Sequence, residues 1–271
     1  MSTGQTADGT VGKALDVLDQ VASFGRPVRF SELQADSPYP KATLFRLLQT
    51  LTSQRMLSLD PDNGSYTLGV RMVRLAHVAW SQSSLAPIAR PFLDGLSEEM
   101  GETVHLAQLD NAHVLYVDKR NAAVPIEMFS QAGKIGPAYC TGVGKAMLAF
   151  LPEDHLQRLL PQMSFHRYTD NTLVSTSALR AELVDIRRHG HAFDREEHEP
   201  GIICVAAPIL SAQGRVLGAL SLTSTIARTT LAALGGHASR VKLTATRIAS
   251  EAESWRFPED QKRALGTGVR K

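Results

Sequence analysis

Cysteine is almost missing from this 271-residue sequence, which holds Cys140 and Cys204 and no others. Two thiols cannot build a disulfide framework or a four-thiolate metal site, so the plain reading is free cysteines in a reducing compartment. Net charge is equally scant: 29 basic against 27 acidic residues leave +2. That sum excludes a chain that is basic throughout, although a basic face can hide within a balanced total. Long apolar runs are absent too. The most hydrophobic stretches, Ile202 to Leu210 and Val216 to Leu222, are parted by Ser211-Ala212-Gln213-Gly214-Arg215, and neither is long enough to span a bilayer. The first ten residues are polar and carry no secretory signal. What is present, 43% hydrophobic and 21% charged residues, predicts a cytoplasmic globular protein of one large or two smaller domains.

Residues 1–10 read as a disordered tip. Apolar residues then recur at Val11, Ala14, Leu15, Leu18 and Ala22, a helical stripe ended by Gly25-Arg26-Pro27. Ser31, with Gln34 three positions on, has the pattern of a capping box opening a short second helix. Pro40 is suited to the first turn of a third helix, whose buried face is marked by Leu44, Leu47, Leu48 and Leu51. Met56 to Asp60 and Ser65 to Leu68 then flank Pro61-Asp62-Asn63-Gly64, a strong turn signal. Three helices and a hairpin in this order predict a winged helix-turn-helix over residues 11–72.

A connecting helix follows to about Gln82, then a second one that Ser84 caps and Pro91 kinks or interrupts. Beyond it, strand signals at Val104 to Leu109, Val114 to Asp118, Gly201 to Leu210 and Val216 to Thr223 alternate with helix signals. The latter start at Thr141, Ser177 and Leu231, with Gly190 as a C-cap. The fold class is therefore α+β, with residues 73–254 forming the linker helix and an antiparallel-sheet domain. Residues 255–271 form a flexible basic tail.

The third helix carries the sharpest chemistry. Lys41, Ala42, Thr43 and Phe45 lie off its leucine face, and Arg46 can leave the core as well. An exposed helix tip of this kind fits the major groove of double-stranded DNA. Lys41 and Thr43 suit base edges or backbone, and Arg46 suits a phosphate. Tyr39 is placed to donate to a phosphate at the helix entrance, and Arg55 adds basic character beside the wing. Arg71 and Arg74 follow.

Catalytic and metal chemistry find little support. Gly142-Val143-Gly144-Lys145 lacks the spacing and the Lys-Ser/Thr ending of a phosphate loop, and Ser221 has no nucleophile-elbow context. Glu196-Glu197-His198-Glu199, with His189 and His191 nearby, reads as a charged loop before it reads as a metal site. Neither an enzyme, nor a cofactor, nor a metal is expected.

The chain resembles the IclR-type bacterial transcriptional regulators. One match runs from Val11-Gly12-Lys13-Ala14-Leu15 to Tyr66-Thr67-Leu68-Gly69 and includes Lys41-Ala42-Thr43-Leu44-Phe45-Arg46. Others fall at Gly142 to Ala149, Leu179 to Leu183, Gly190 to Asp194, Glu199-Pro200-Gly201 and Cys204 to Pro208. The resemblance implies a GAF-like effector-binding domain and self-association as a dimer or dimer of dimers. It also implies operator DNA and a small organic acid or semialdehyde as partners, with repression the more common sign. It places an effector pocket at Met128, Gly142, Val143, Asp194, Cys204, Ser221 and Thr223. Ser221 and Thr223 share one strand face. Phe129 and Tyr139 add apolar or aromatic walls. Two departures stand out: Ala42 replaces a common serine, and Gln54-Arg55-Met56-Leu57 lacks the usual glycine before the wing. A ligand-sensing protein whose first domain makes only protein contacts is the competing reading, which salt-sensitive, sequence-specific retention of a promoter fragment would separate from the first.

Overall fold

The computed structural model describes residues 9–83, 85–125 and 127–253. They divide into two compact units, Met1–Gln82 and Ser83–Lys271. The expected disordered tip (residues 1–8 of it), the Ser84 cap and the basic tail lie outside the described residues.

In the first unit, α1 (Thr10–Ser23) buries Val17, Leu18 and Val21. Val11 and Leu15, placed by periodicity on the buried stripe, are more than half exposed, because the core meets the neighbouring stripe of the same helix. β1 (Val28–Arg29) leads into α2 (Phe30–Asp36). Here the cap differs from the Ser31–Gln34 expectation: the Arg29 amide donates to Glu32 Oε2 at 2.9 Å, so the helix starts earlier. α3 (Lys41–Ser53) buries Leu44, Leu47, Leu48 and Leu51, each contributing on the order of 1.5–3 kcal/mol. Pro40 stands just before the helix, its carbonyl accepting from Thr43 and Leu44. The wing is β2 (Leu57–Asp60) paired with β3 (Ser65–Leu68). β1 adds a third strand that the sequence pattern did not show, in the order β1-β3-β2. From Gly69 the chain enters α4 (Val70–Ser83).

The second unit is built on a six-stranded sheet. Its strands are β4 (Thr103–Asp110), β5 (His113–Arg120), β6 (Ile135–Pro137), β7 (Ala192–Arg195), β8 (Ile202–Leu210) and β9 (Val216–Thr225). They lie in the order β6-β5-β4-β9-β8-β7, and every pairing is antiparallel. α5 (Ala86–Met100) runs through Pro91 without interruption. Pro91 is exposed, so the carbonyl it deprives of a partner can turn to water. The buried face of α5 is Ala86, Ala89, Leu93 and Leu96. The final helical segment is two helices, α9 (Leu231–Gly235) and α10 (Ala238–Glu251), because Gly235-Gly236 breaks it. α5 packs against β4 and α10 against β8 and α5.

Alternation along the strands sorts side chains between two faces. On one face Cys204, Ala206 and Ala219 join a core with α6 (Gly142–Leu148), α7 (Glu153–Leu159) and α8 (Thr176–His189). Ser175 caps α8 by accepting from Ala178, and Gly190 ends it in the left-handed conformation. The start of α6 lies against this face. Gly144 is needed there because a Cβ would stand 2.2 Å from the Ala138 carbonyl oxygen.

Candidate functional site

Two sites emerge, one in each unit. In the first, α3 buries its leucines and thereby turns Lys41, Ala42, Phe45 and Arg46 to solvent, with Thr43 partly exposed. No ion pair engages Lys41 or Arg46 among the described residues. Their charge is available to a polyanion, and Lys41 sits where the free amides of the first turn add positive potential. Phe45 is 48% exposed, with its ring edge-on to Phe30 at 6.1 Å.

Other expected contributors sit differently. The Tyr39 hydroxyl donates to the Asp16 carboxylate, so the proton expected to serve a phosphate is already engaged, beside a negative charge. Arg55 lies at the base of the hairpin, at the opposite end of α3 from Lys41, roughly 18 Å along the helix axis. Its φ of 59° is left-handed, the conformation that the glycine usual at this place adopts without strain. The wing tip is acidic. Asp60 organises it, accepting from the amides of Asp62 and Gly64 and from Asn63 Nδ2, and Asp62 is exposed.

In the second unit, six of the seven expected pocket residues line one cavity: Gly142, Val143, Asp194, Cys204, Ser221 and Thr223. Antiparallel registers bring them together, pairing Asp194 with Cys204 and Cys204 with Thr223. Met128 is buried outside this lining. Its neighbours Phe129 and Ser130 face the cavity instead, because this segment is irregular and offers no period from which to pick the inward side chain.

His105 is the site residue that sequence reasoning missed. It pairs with Ser221 in the β4–β9 register. Its Nδ1 lies 3.2 Å from Thr223 Oγ1 and 3.5 Å from Ser221 Oγ. Nε2 lies 2.8 Å from Ser130 Oγ, and the two strand hydroxyls are 3.2 Å apart. Burial pushes this imidazole down to about 3, so it is neutral. A neutral ring donates from one nitrogen and accepts at the other, so Ser130 and the strand hydroxyls meet it in opposite senses.

Among the described residues no lysine or arginine lines the cavity, whereas Asp194 and Glu199 do. Asp194 Oδ1 accepts from the Glu197 amide at 2.8 Å. Burial, reinforced by the Glu197 carboxylate, raises Asp194 to about 7. Burial also pushes the Cys204 and Cys140 thiols up, so both are neutral sulfurs, not nucleophiles. Lys145, on α6, is fully buried but committed: Nζ is 3.0 Å from Glu182 Oε1 and bonds Glu197 Oε1. Glu182 is held further by Arg195 Nη1 at 2.7 Å. The cation thus serves the scaffold behind the cavity.

A helix-turn-helix whose basic tip is exposed and, among the described residues, free of ion pairs marks a DNA-binding protein, and the second unit adds a polar-floored cavity. The family model for the IclR helix-turn-helix domain matches residues 10–61, and that for the bacterial transcriptional regulator IclR C-terminal domain matches residues 77–250. The chain belongs to the IclR family of bacterial transcriptional regulators. It is 32% identical over 219 residues to the HTH-type transcriptional regulator XynR of Escherichia coli K12, covering 81% of this chain and 87% of that protein. It is also 32% identical over 231 residues to the transcriptional repressor IclR of the same organism, covering 84% of each. Among solved structures, the IclR protein of Thermotoga maritima superposes with a TM-score of 0.73 at 27% identity, covering 90% of this chain and 98% of that one.

Among the described residues, no helix is long and apolar enough to cross a membrane.

Proposed function

We propose that this regulator is a cytoplasmic repressor that binds double-stranded operator DNA through α3 and is released by a small organic acid held over β8 and β9. It acts as a dimer or dimer of dimers. The observation that carries the reading is the Ser130–His105–Thr223–Ser221 chain of hydroxyls and neutral imidazole facing the start of α6. Such groups suit a carboxylate: the hydroxyls donate to it, and the amides of Gly142 and Val143 add positive potential. With no lysine or arginine among the described residues of the lining, an anion seated beside Asp194 requires that carboxyl to be protonated.

On the DNA side, Lys41 and Thr43 face the base edges and Arg46 grips a phosphate. The wing tip contributes little attraction, because Asp62 meets the backbone with a like charge. Arg55, Tyr39 and Ala42 shape the surface more than they bind it.

The test is retention of the promoter fragment upstream of the protein's own gene, measured against salt, with and without added small acids. Sequence-specific, salt-sensitive retention that an acid abolishes supports the reading. Retention insensitive to sequence and salt would leave only a ligand-sensing protein-interaction module.

A further inference from the structure

Three guanidiniums converge where α3 gives way to the hairpin. Arg55, Arg71 and Arg74 line a cavity of about 300 Å³ together with Ser53, Gln54 and Val70. Among the described residues no carboxylate lines it. The cavity lies wholly within the first unit, at the far end of α3 from Lys41 and the DNA-reading tip.

The backbone brings these residues together. Gly69 packs so closely on the turn after α3 that a Cβ would stand 2.2 Å from the Arg55 carbonyl oxygen. Its amide donates to the Met56 carbonyl at 2.8 Å, and the Arg71 amide donates to the Arg55 carbonyl at 3.2 Å. The first turn of α4 is thereby held against the end of α3, and Arg71 and Arg74, three apart, share one helix face.

Capping of α3 accounts for part of one guanidinium. Arg71 Nη1 donates to the Gln54 carbonyl at 3.3 Å and to Gln54 Oε1 at 3.0 Å, where the negative end of the helix dipole favours a cation. Arg71 Nε is shielded from solvent and has no partner among the described residues, a donor that is costly to leave unmet. Arg55 and Arg74 are exposed, and their side chains make no ion pair or hydrogen bond among the described residues. Three like charges around one space, with no acid to offset them, repel one another. Arg55 also holds a φ of 59°, so the chain carries a cation where glycine would be unstrained.

We infer that this cavity binds a phosphorylated small molecule, a phosphate monoester whose dianion sits among the three guanidiniums. The planar fork of arginine matches the oxygens of a phosphate two at a time, and two negative charges offset most of three positive ones. The volume falls at the lower end of small-molecule sites and leaves room beyond the phosphate head. Val70, 70% exposed, with Ser53 and Gln54, then meets the rest of the molecule. A ligand seated there ties the end of α3, the base of the wing and α4 together. The site shares no residue with the cavity of the second unit.

Calorimetry on the full chain with inorganic phosphate, ribose 5-phosphate and ribose, chloride being adjusted to hold ionic strength constant, tests it. Inorganic phosphate binds once per chain, ribose 5-phosphate at least as tightly, and ribose not at all. Arg74→Ala and Arg55→Gly each weaken both phosphates at least tenfold. The second substitution relieves a strained backbone, so misfolding cannot account for its loss. Arg247→Ala, which removes an exposed arginine of α10, leaves the affinity unchanged. Failure of the phosphates to bind, tighter binding of inorganic phosphate than of the ester, affinity that survives Arg74→Ala, or an equal loss in Arg247→Ala overturns the proposal. A drop of about 0.9 in the salt slope of duplex binding in Arg74→Ala would assign the cluster to a DNA backbone phosphate and overturn the free-ligand assignment as well.

Discussion

A Cβ added to Gly142 would stand 2.3 Å from Cys204 Sγ, so the start of α6 and the β8 thiol share a space that admits one of them. The same Cβ would meet Ala206 Cβ at 3.4 Å and the Asp194 amide nitrogen at 3.5 Å, contacts that need no rearrangement. Gly142→Ala therefore clashes with the sulfur alone, and overpacking of this kind costs about 1–3 kcal/mol. Cys204→Ala removes the obstacle. The double variant should be no less stable than Cys204→Ala by itself, a strongly non-additive cycle. Chemical denaturation of the four proteins measures it, and additive losses would show that the clash is relieved elsewhere.

On α3, Arg46 is exposed and free of acidic partners among the described residues, while the wing tip presents Asp62. Arg46→Ala should weaken binding to every duplex and lower the slope of log K against log salt by about 0.9, the loss of one phosphate contact. Asp62→Lys should steepen it by a similar amount, since it exchanges repulsion for attraction. Fluorescence anisotropy over a salt series reads both. An unchanged slope in Asp62→Lys would place the wing away from the DNA backbone.

The helix-turn-helix was legible because its leucine spacing and the Pro61-Asp62-Asn63-Gly64 turn are local signals. β1 was not, since two residues carry no period. The boundary of α2 shifted because Glu32 caps from inside the helix by accepting from the Arg29 amide, one half of the capping box that the Ser31–Gln34 spacing suggests. In the second unit, resemblance gathered six residues that line one cavity, but it could not give His105. That histidine becomes part of the site only through the β4–β9 register, which pairs residues more than a hundred positions apart. Met128 illustrates the opposite failure: the right segment, but without a period to say which side chain turns inward.

Lys145 is fully buried between Glu182 and Glu197. Replacing it with methionine keeps most of the side chain's length, leaves Glu182 with Arg195 as its cation, and takes from Glu197 its close one. Breaking a buried pair from one side typically costs about 3–5 kcal/mol. Glu197 is the more exposed to this loss in energetic terms: it is 3% accessible, and its Oε2 finds no partner among the described residues. Adding Glu197→Gln to Lys145→Met should recover part of the stability, because the uncompensated charge, not the missing methylene contacts, is the main penalty. Thermal unfolding of the single and double variants decides it, and a double variant less stable than Lys145→Met would reverse the argument.

Asp194 makes the fold and the proposed effector site depend on pH in a defined direction. Its carboxyl is raised to about 7, against about 3.9 in an unfolded chain. The folded state therefore holds this proton more tightly, and the contribution is fully present below pH 4 and lost as pH rises through 7. His105 works the other way. Depressed to about 3, it contributes above about pH 6.5 and loses that contribution as pH falls. The two slopes oppose each other between pH 4 and 6.5, so the wild-type profile conceals both. Asp194→Asn exposes them, because its amide oxygen still accepts from the Glu197 amide but cannot ionise. The stability of this variant relative to wild type should rise from pH 4 to 7 and level off above that, as read from urea unfolding at unit pH steps. The same group governs the ligand. A carboxylate seated beside Asp194 requires the protonated form, so above pH 7 its affinity should fall about tenfold per pH unit, and binding should take up one proton. Calorimetry in buffers of different ionisation enthalpy counts that proton. In Asp194→Asn the uptake should vanish while binding persists; uptake that survived the substitution would assign the proton to another group.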